Sequence, residues 1–122
     1  DDAAKQEIFD QLDKSYISGI TFSGGDPLHA ANRLDVRNLM AEIKEKYPDK
    51  TIWLYTGDSW ENILHYAIMQ YVDVLVDGEF QVDKKDVKLL WKGSSNQRVI
   101  DVQKSLKQTD PMIPVLHCRD YA

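Results

Sequence analysis

Apolar residues fall at helical spacing over residues 3–17, where Ile8, Phe9, Leu12 and Tyr16 share one stripe. The same period returns over residues 33–47 through Val36, Leu39, Met40, Ile43 and Tyr47, and Pro48 ends it because proline offers no amide donor. Between the two runs Ile20 and Phe22 alternate with Thr21 and Ser23, the period of two that predicts a strand over residues 19–24. A second strand over residues 51–56 closes at Gly57. Asp58 and Glu61 then stand as a capping-box-like pair before a helix that turns Trp60, Ile63, Leu64, Ala67 and Ile68 inward. Residues 71–77 read as a third strand and residues 99–102 as a short one beyond it.

Strands separated by helices of this length imply βαβ units and a mostly parallel sheet. No internal repeat, low-complexity tract or linker interrupts the pattern, so residues 1–122 are expected to form a single α/β domain. Ligands of such sheets gather at the carboxyl ends of the strands. Three ends are polar and glycine-bearing where the strands feeding them are apolar: Ser23-Gly24-Gly25-Asp26, Tyr55-Thr56-Gly57-Asp58 and Val76-Asp77-Gly78-Glu79. A binding site across them is the expectation.

Individual residues admit two readings each. Gly24 and Gly25 let a ligand approach the backbone, and Asp26 accepts hydrogen bonds from a ligand ammonium group. The same residues also suit a strand-to-helix turn, with Asp26 as the cap and Pro27 at the first helical position. In the third strand Val72, Val74 and Val76 share a face suited to packing under helices, opposite Asp73, Leu75 and Asp77. Asp73 is expected at an exposed strand start. Asp77 either contacts a ligand or caps the following turn. Residues 93–98, Gly-Ser-Ser-Asn-Gln-Arg, offer many donors and acceptors for a ligand or partner, and a solvated turn explains them equally well.

The net charge of −5 argues against nucleic acid or an anionic membrane as the main partner. No apolar run approaches the ~20 residues that span a bilayer, and no signal peptide opens the chain. One cysteine, Cys118, excludes an internal disulfide framework and predicts a cytoplasmic location. His29, His65 and His117 are scattered without metal-site spacing, and no Gly-x-Ser-x-Gly elbow, P-loop or Gly-x-Gly-x-x-Gly occurs.

Four segments stand in a familiar order: Gly-Ile-Thr-Phe-Ser-Gly-Gly-Asp-Pro-Leu at 19–28, Ile-Trp-Leu-Tyr-Thr-Gly at 52–57, Val-Asp-Val-Leu-Val-Asp-Gly at 72–78 and Gly-Ser-Ser-Asn-Gln-Arg at 93–98. Together they resemble the activating proteins of anaerobic ribonucleotide reductase, within the radical S-adenosylmethionine (SAM) enzymes. The resemblance implies a partial β/α barrel of radical SAM type. It implies a [4Fe–4S] cluster on a Cys-x3-Cys-x2-Cys loop, cleavage of SAM to a 5′-deoxyadenosyl radical, and hydrogen abstraction from a glycine of the reductase large subunit, the implied partner. Ser23, Gly24, Gly25 and Asp26 match the motif that holds the SAM methionine moiety, and Asp77 and Gly78 match a strand end lining that pocket.

The cluster cysteines are absent from these 122 residues, so no metal ligand or catalytic residue is assigned. The expectation is a chain lacking its first strand and cysteine loop, inactive on its own. The alternative is a non-catalytic binding or interaction module derived from the same scaffold. Loss of a first strand predicts an exposed sheet edge that pairs with another copy, is covered by the chain's own tail, or drives aggregation.

Overall fold

The computed structural model describes residues 2–23, 28–89 and 91–117. Helix α1 (Asp2–Leu12) leads to β1 (Gly19–Phe22), α2 (Ala30–Lys46), β2 (Thr51–Tyr55) and the short α3 (Trp60–Ile63). A 3-10 helix (Ala67–Tyr71), β3 (Val74–Asp77), β4 (Arg98–Asp101), α4 (Val102–Leu106) and β5 (Val115–Leu116) follow. The five strands lie in the order β1-β2-β3-β4-β5, with β1, β2 and β3 parallel and β4 and β5 antiparallel to their neighbours. The expected parallel sheet is therefore the first three strands of a mixed one.

Several boundaries differ from the sequence pattern, each for a tertiary reason. The first helix stops at Leu12 instead of residue 17, because Lys50 Nζ takes the carbonyls of Lys14 and Ile17 and the Tyr47 hydroxyl donates to Asp13. Tyr16, expected on the buried stripe, is exposed. The second helix starts at Ala30, and its N-cap is His29, whose Nδ1 accepts from the Ala31 amide at 3.3 Å. Asp26 and Pro27, on which the strand-to-helix-turn reading rests, lie outside the described residues. The helix expected through Ile68 breaks at Tyr66, whose ψ of 138° is extended, and restarts as the 3-10 turn that buries Ile68 and Met69. The expected strand over 71–77 begins only at Val74.

The two faces of the sheet differ. Ile52, Leu54, Leu75 and Ile100 join Phe9, Leu12, Met40, Ile43, Trp60 and Ile63 in the main core, so α1, α2, α3, α4 and the 3-10 helix Ala67–Tyr71 pack on that side. Val74, Val76 and Val99 face the other way and pack under Trp53, Tyr55 and Trp91. The valine face expected beneath helices is the helix-free one. Among the described residues β1 pairs only with β2, so its outer edge has no strand partner.

Candidate functional site

Parallel pairing carries the ends of β1, β2 and β3 to one rim. The register aligns Phe22 with Leu54 and Tyr55 with Val76, which sets Ser23, Thr56-Gly57 and Asp77-Gly78 side by side along it. Two backbone bonds tie the second and third ends together: the Thr56 amide to the Val76 carbonyl at 3.1 Å and the Gly78 amide to the Asp58 carbonyl at 2.8 Å. An open cleft of about 400 Å³ lies there, lined by Tyr55, Thr56, Gly57, Gly78, Phe80 and Gln97 among others. Gly24, Gly25 and Asp26 lie outside the described residues.

Gly78 has φ +92°, a left-handed conformation that a side chain would strain. Asp77, beside it, is 1% exposed, and both of its oxygens are engaged within the chain. One accepts from the Trp60 amide at 2.8 Å and Arg98 Nη2 at 2.5 Å; the other accepts from the Arg98 amide and Nε. Antiparallel register creates this pair by setting Asp77 opposite Arg98. Arg98 also forks onto both oxygens of Glu61 at 3.0 and 2.6 Å. Bonding to Glu61 and then to Asp77 raises the Arg98 pKa, which keeps the guanidinium charged, while Arg98 holds the Glu61 carboxyl below its usual range.

Asp77 thus anchors the start of α3. The capping-box pairing of Asp58 with Glu61 does not form: Ser59 is the N-cap without a side-chain bond, Glu61 turns to Arg98, and Asp58 accepts from Ser59 and Asn62. Asp73 is likewise partnered, correcting the exposed strand start. It bonds Lys44 Nζ at 2.6 Å and the Ile52 amide at 2.7 Å.

Residues 93–98 form an internal clasp, which replaces the solvated-turn reading. Gln97 Oε1 accepts from the amides of Gly93 and Ser94, and its Nε2 donates to the Gly78 carbonyl at 3.0 Å. Asn96 donates to the Glu79 carbonyl, and the buried Ser94 hydroxyl accepts from the Gln81 amide. The clasp fastens the segment between β3 and β4 against the rim.

Sequence reading missed an aromatic panel on the helix-free face. Trp53 meets Trp91 edge-on at 5.2 Å, and the His117 ring lies 5.6 Å from Trp53 and 4.8 Å from Trp91. Trp91 has φ +68°, a strained value for a bulky residue, and the Tyr55 hydroxyl fixes it by donating to its carbonyl at 2.6 Å. A concavity of about 240 Å³ runs from this panel to Gly19 and Thr21. The signal was present in β2, where Trp53 and Tyr55 alternate with Ile52 and Leu54.

A [4Fe–4S] cluster requires cysteine thiolates. Cys118 is the one cysteine of the chain and lies outside the described residues, among which no three His, Cys, Asp or Glu side chains are grouped to hold a metal ion. The residues of this chain do not supply a ligand set for such a cluster. Among the described residues no helix is long and apolar enough to cross a membrane.

Comparison with known proteins adds a family. Residues 1–100 match the family described as 4Fe-4S single cluster domain. The anaerobic ribonucleoside-triphosphate reductase-activating protein of Enterobacteria phage T4 is 44% identical over 94 residues, 77% of this chain and 60% of the relative. The protein of the same name from Escherichia coli K12 is 45% identical over 102 residues, 80% of this chain and 66% of the relative. That of Salmonella typhimurium is 50% identical over 84 residues, 66% of this chain and 54% of the relative. The chain therefore spans less than two thirds of the length of these curated relatives. No solved structure matches.

Proposed function

Because the chain belongs to the 4Fe-4S single cluster domain family and is similar over most of its length to anaerobic ribonucleoside-triphosphate reductase-activating proteins, we propose that it forms the SAM-binding body of such an activating protein. Ser23, Gly24, Gly25 and Asp26 hold the methionine moiety, with Asp26 accepting from its ammonium group. Gly78 leaves the neighbouring strand end open to the ligand, and Asp77 fixes the wall of the pocket through Arg98 and the start of α3. The sheet is part of a β/α barrel whose helix-free face looks inward, and the partner is the large subunit of the reductase, in the cytoplasm. With one cysteine in 122 residues, the chain on its own generates no radical.

The observation that carries this reading is the common rim of three parallel strand ends, each bearing glycine or hydroxyl groups. Calorimetric titration with SAM tests it. Saturable binding that disappears in Asp26→Asn is the expected result. No binding at about 1 mM SAM, a ceiling weaker than ordinary cofactor affinities, would remove SAM from the reading. The single cysteine favours the second reading, a non-catalytic binding or interaction module on the same scaffold, and that outcome would leave it standing.

A further inference from the structure

A cavity of about 510 Å³ opens on the helical layer, between the first half of α2 and the turn that leads into the 3-10 helix. Arg33 and Arg37 project into it from one face of α2, one turn apart, and His65 stands across from them. The Arg33 guanidinium lies 4.2 Å from the centroid of the Tyr66 ring, and the His65 ring packs edge-on to that ring at 4.8 Å. Leu34, 64% exposed, and Ile68 supply an apolar wall.

None of the described lining residues is acidic, and among the described residues neither arginine has an ion-pair partner. Arg37 makes one long bond, 3.5 Å, to Asn38. Arg33 is held by an aromatic face, so its N–H fork is oriented without being consumed by a carboxylate. Such a concentration of donors is unexpected in a chain of net charge −5, whose overall field repels anions. The volume falls in the range of small-molecule pockets, roughly 300–1,000 Å³.

We infer that this cavity binds an oligophosphate group, either free or carried by a nucleotide. Two guanidiniums a helical turn apart match a row of phosphoryl oxygens, since planar forks bind such oxygens in pairs. The imidazole of His65 adds a third donor, and the exposed Leu34 offers an apolar contact for a ribose or base. The site is separate from the strand-end rim, so it stands whether or not SAM binds there.

Isothermal titration of the 122-residue chain with ATP and, separately, with inorganic tripolyphosphate tests the assignment. Both should bind at one site, and Arg33→Ala and Arg37→Ala should each weaken binding about tenfold, the loss of one charge-assisted contact. Arg37→Glu should abolish binding with an unchanged thermal melt, which keeps the test valid if loss of the Tyr66 stack disturbs the fold of Arg33→Ala. Lys88→Ala, at an exposed position outside the cavity lining, should bind like the parent. Equal affinities would identify the phosphate chain as the ligand; tighter ATP would identify a nucleotide. Absence of binding to either probe at about 1 mM, binding unchanged by Arg37→Glu, or tighter capture of a polyglutamate peptide would overturn the assignment.

Discussion

Replacing Asp77 by alanine removes a side chain that, together with Arg98, joins β3, β4 and α3 at the rim. The Trp60 and Arg98 amides both lose their acceptor where water does not reach easily. An unsatisfied buried amide costs about 1–3 kcal/mol. Arg98 loses two further bonds but keeps Glu61, which is partly exposed and limits the electrostatic loss. The sum is about 4 kcal/mol, a large share of the roughly 5–15 kcal/mol that holds a domain together. At about 4 °C per kcal/mol for a chain of this size, the thermal midpoint should fall by about 15 °C. Arg98→Met perturbs the other partner, leaving the Asp77 carboxylate with two amide donors and no cation, at about 3 kcal/mol. The double variant should be less damaged than the sum, with a coupling of about 2 kcal/mol in urea titrations followed by circular dichroism. Additivity within about 0.5 kcal/mol would refute the claim that Asp77 and Arg98 act as one unit.

Three further outcomes are expected. Gly78→Ala should lower stability by about 1–2 kcal/mol, because φ +92° is left-handed; a thermal melt unchanged from the parent would contradict this. Glu61 has its pKa lowered in the fold by the Arg98 bond, so its contribution is present above the ordinary value of 4.5 and is lost as pH falls through the folded value. As pH falls from about 4.5 through the folded value, urea midpoints should decline less steeply for Glu61→Gln than for the parent, and parallel declines would exclude the mechanism. The outer edge of β1 should drive concentration-dependent self-association in sedimentation runs, suppressed by Thr21→Lys, whose charge opposes edge pairing; a clean monomer at high concentration would count against it.

The elements that could be read from the chain are those whose burial is periodic and local. The inward stripe of α2 and the alternation in β1 and β2 depend on neighbours a few residues away, and all three elements form. The misreadings come from distant partners. Nothing near residue 14 announces that Lys50 will take its carbonyl, or that Asp77 will replace Asp58 as the anchor of α3. The face assignment of β3 failed for the same reason. Val74 and Val76 are as apolar as any helix-covered residue, yet they pack against Trp53 and Tyr55 of the neighbouring β2 and against Trp91 from the segment before β4. The shared rim at the ends of β1, β2 and β3 was legible because the parallel sheet turns a sequence pattern into a spatial one.

That division explains how the polar string at 93–98 can lie beside the candidate site with most of its groups engaged inside the chain. Several of its donors and acceptors are engaged by Gly78, Glu79, Gln81 and Asp77. A hydrogen bond already made inside the chain must be broken before the same group can serve a ligand, and a buried group resists that exchange. Gln97 and Arg98 therefore act on the rim by holding Gly78 in its left-handed conformation and α3 in place. The positive φ of Trp91 is held in the same way, by the Tyr55 hydroxyl on its carbonyl, since a strained backbone persists only where its surroundings hold it.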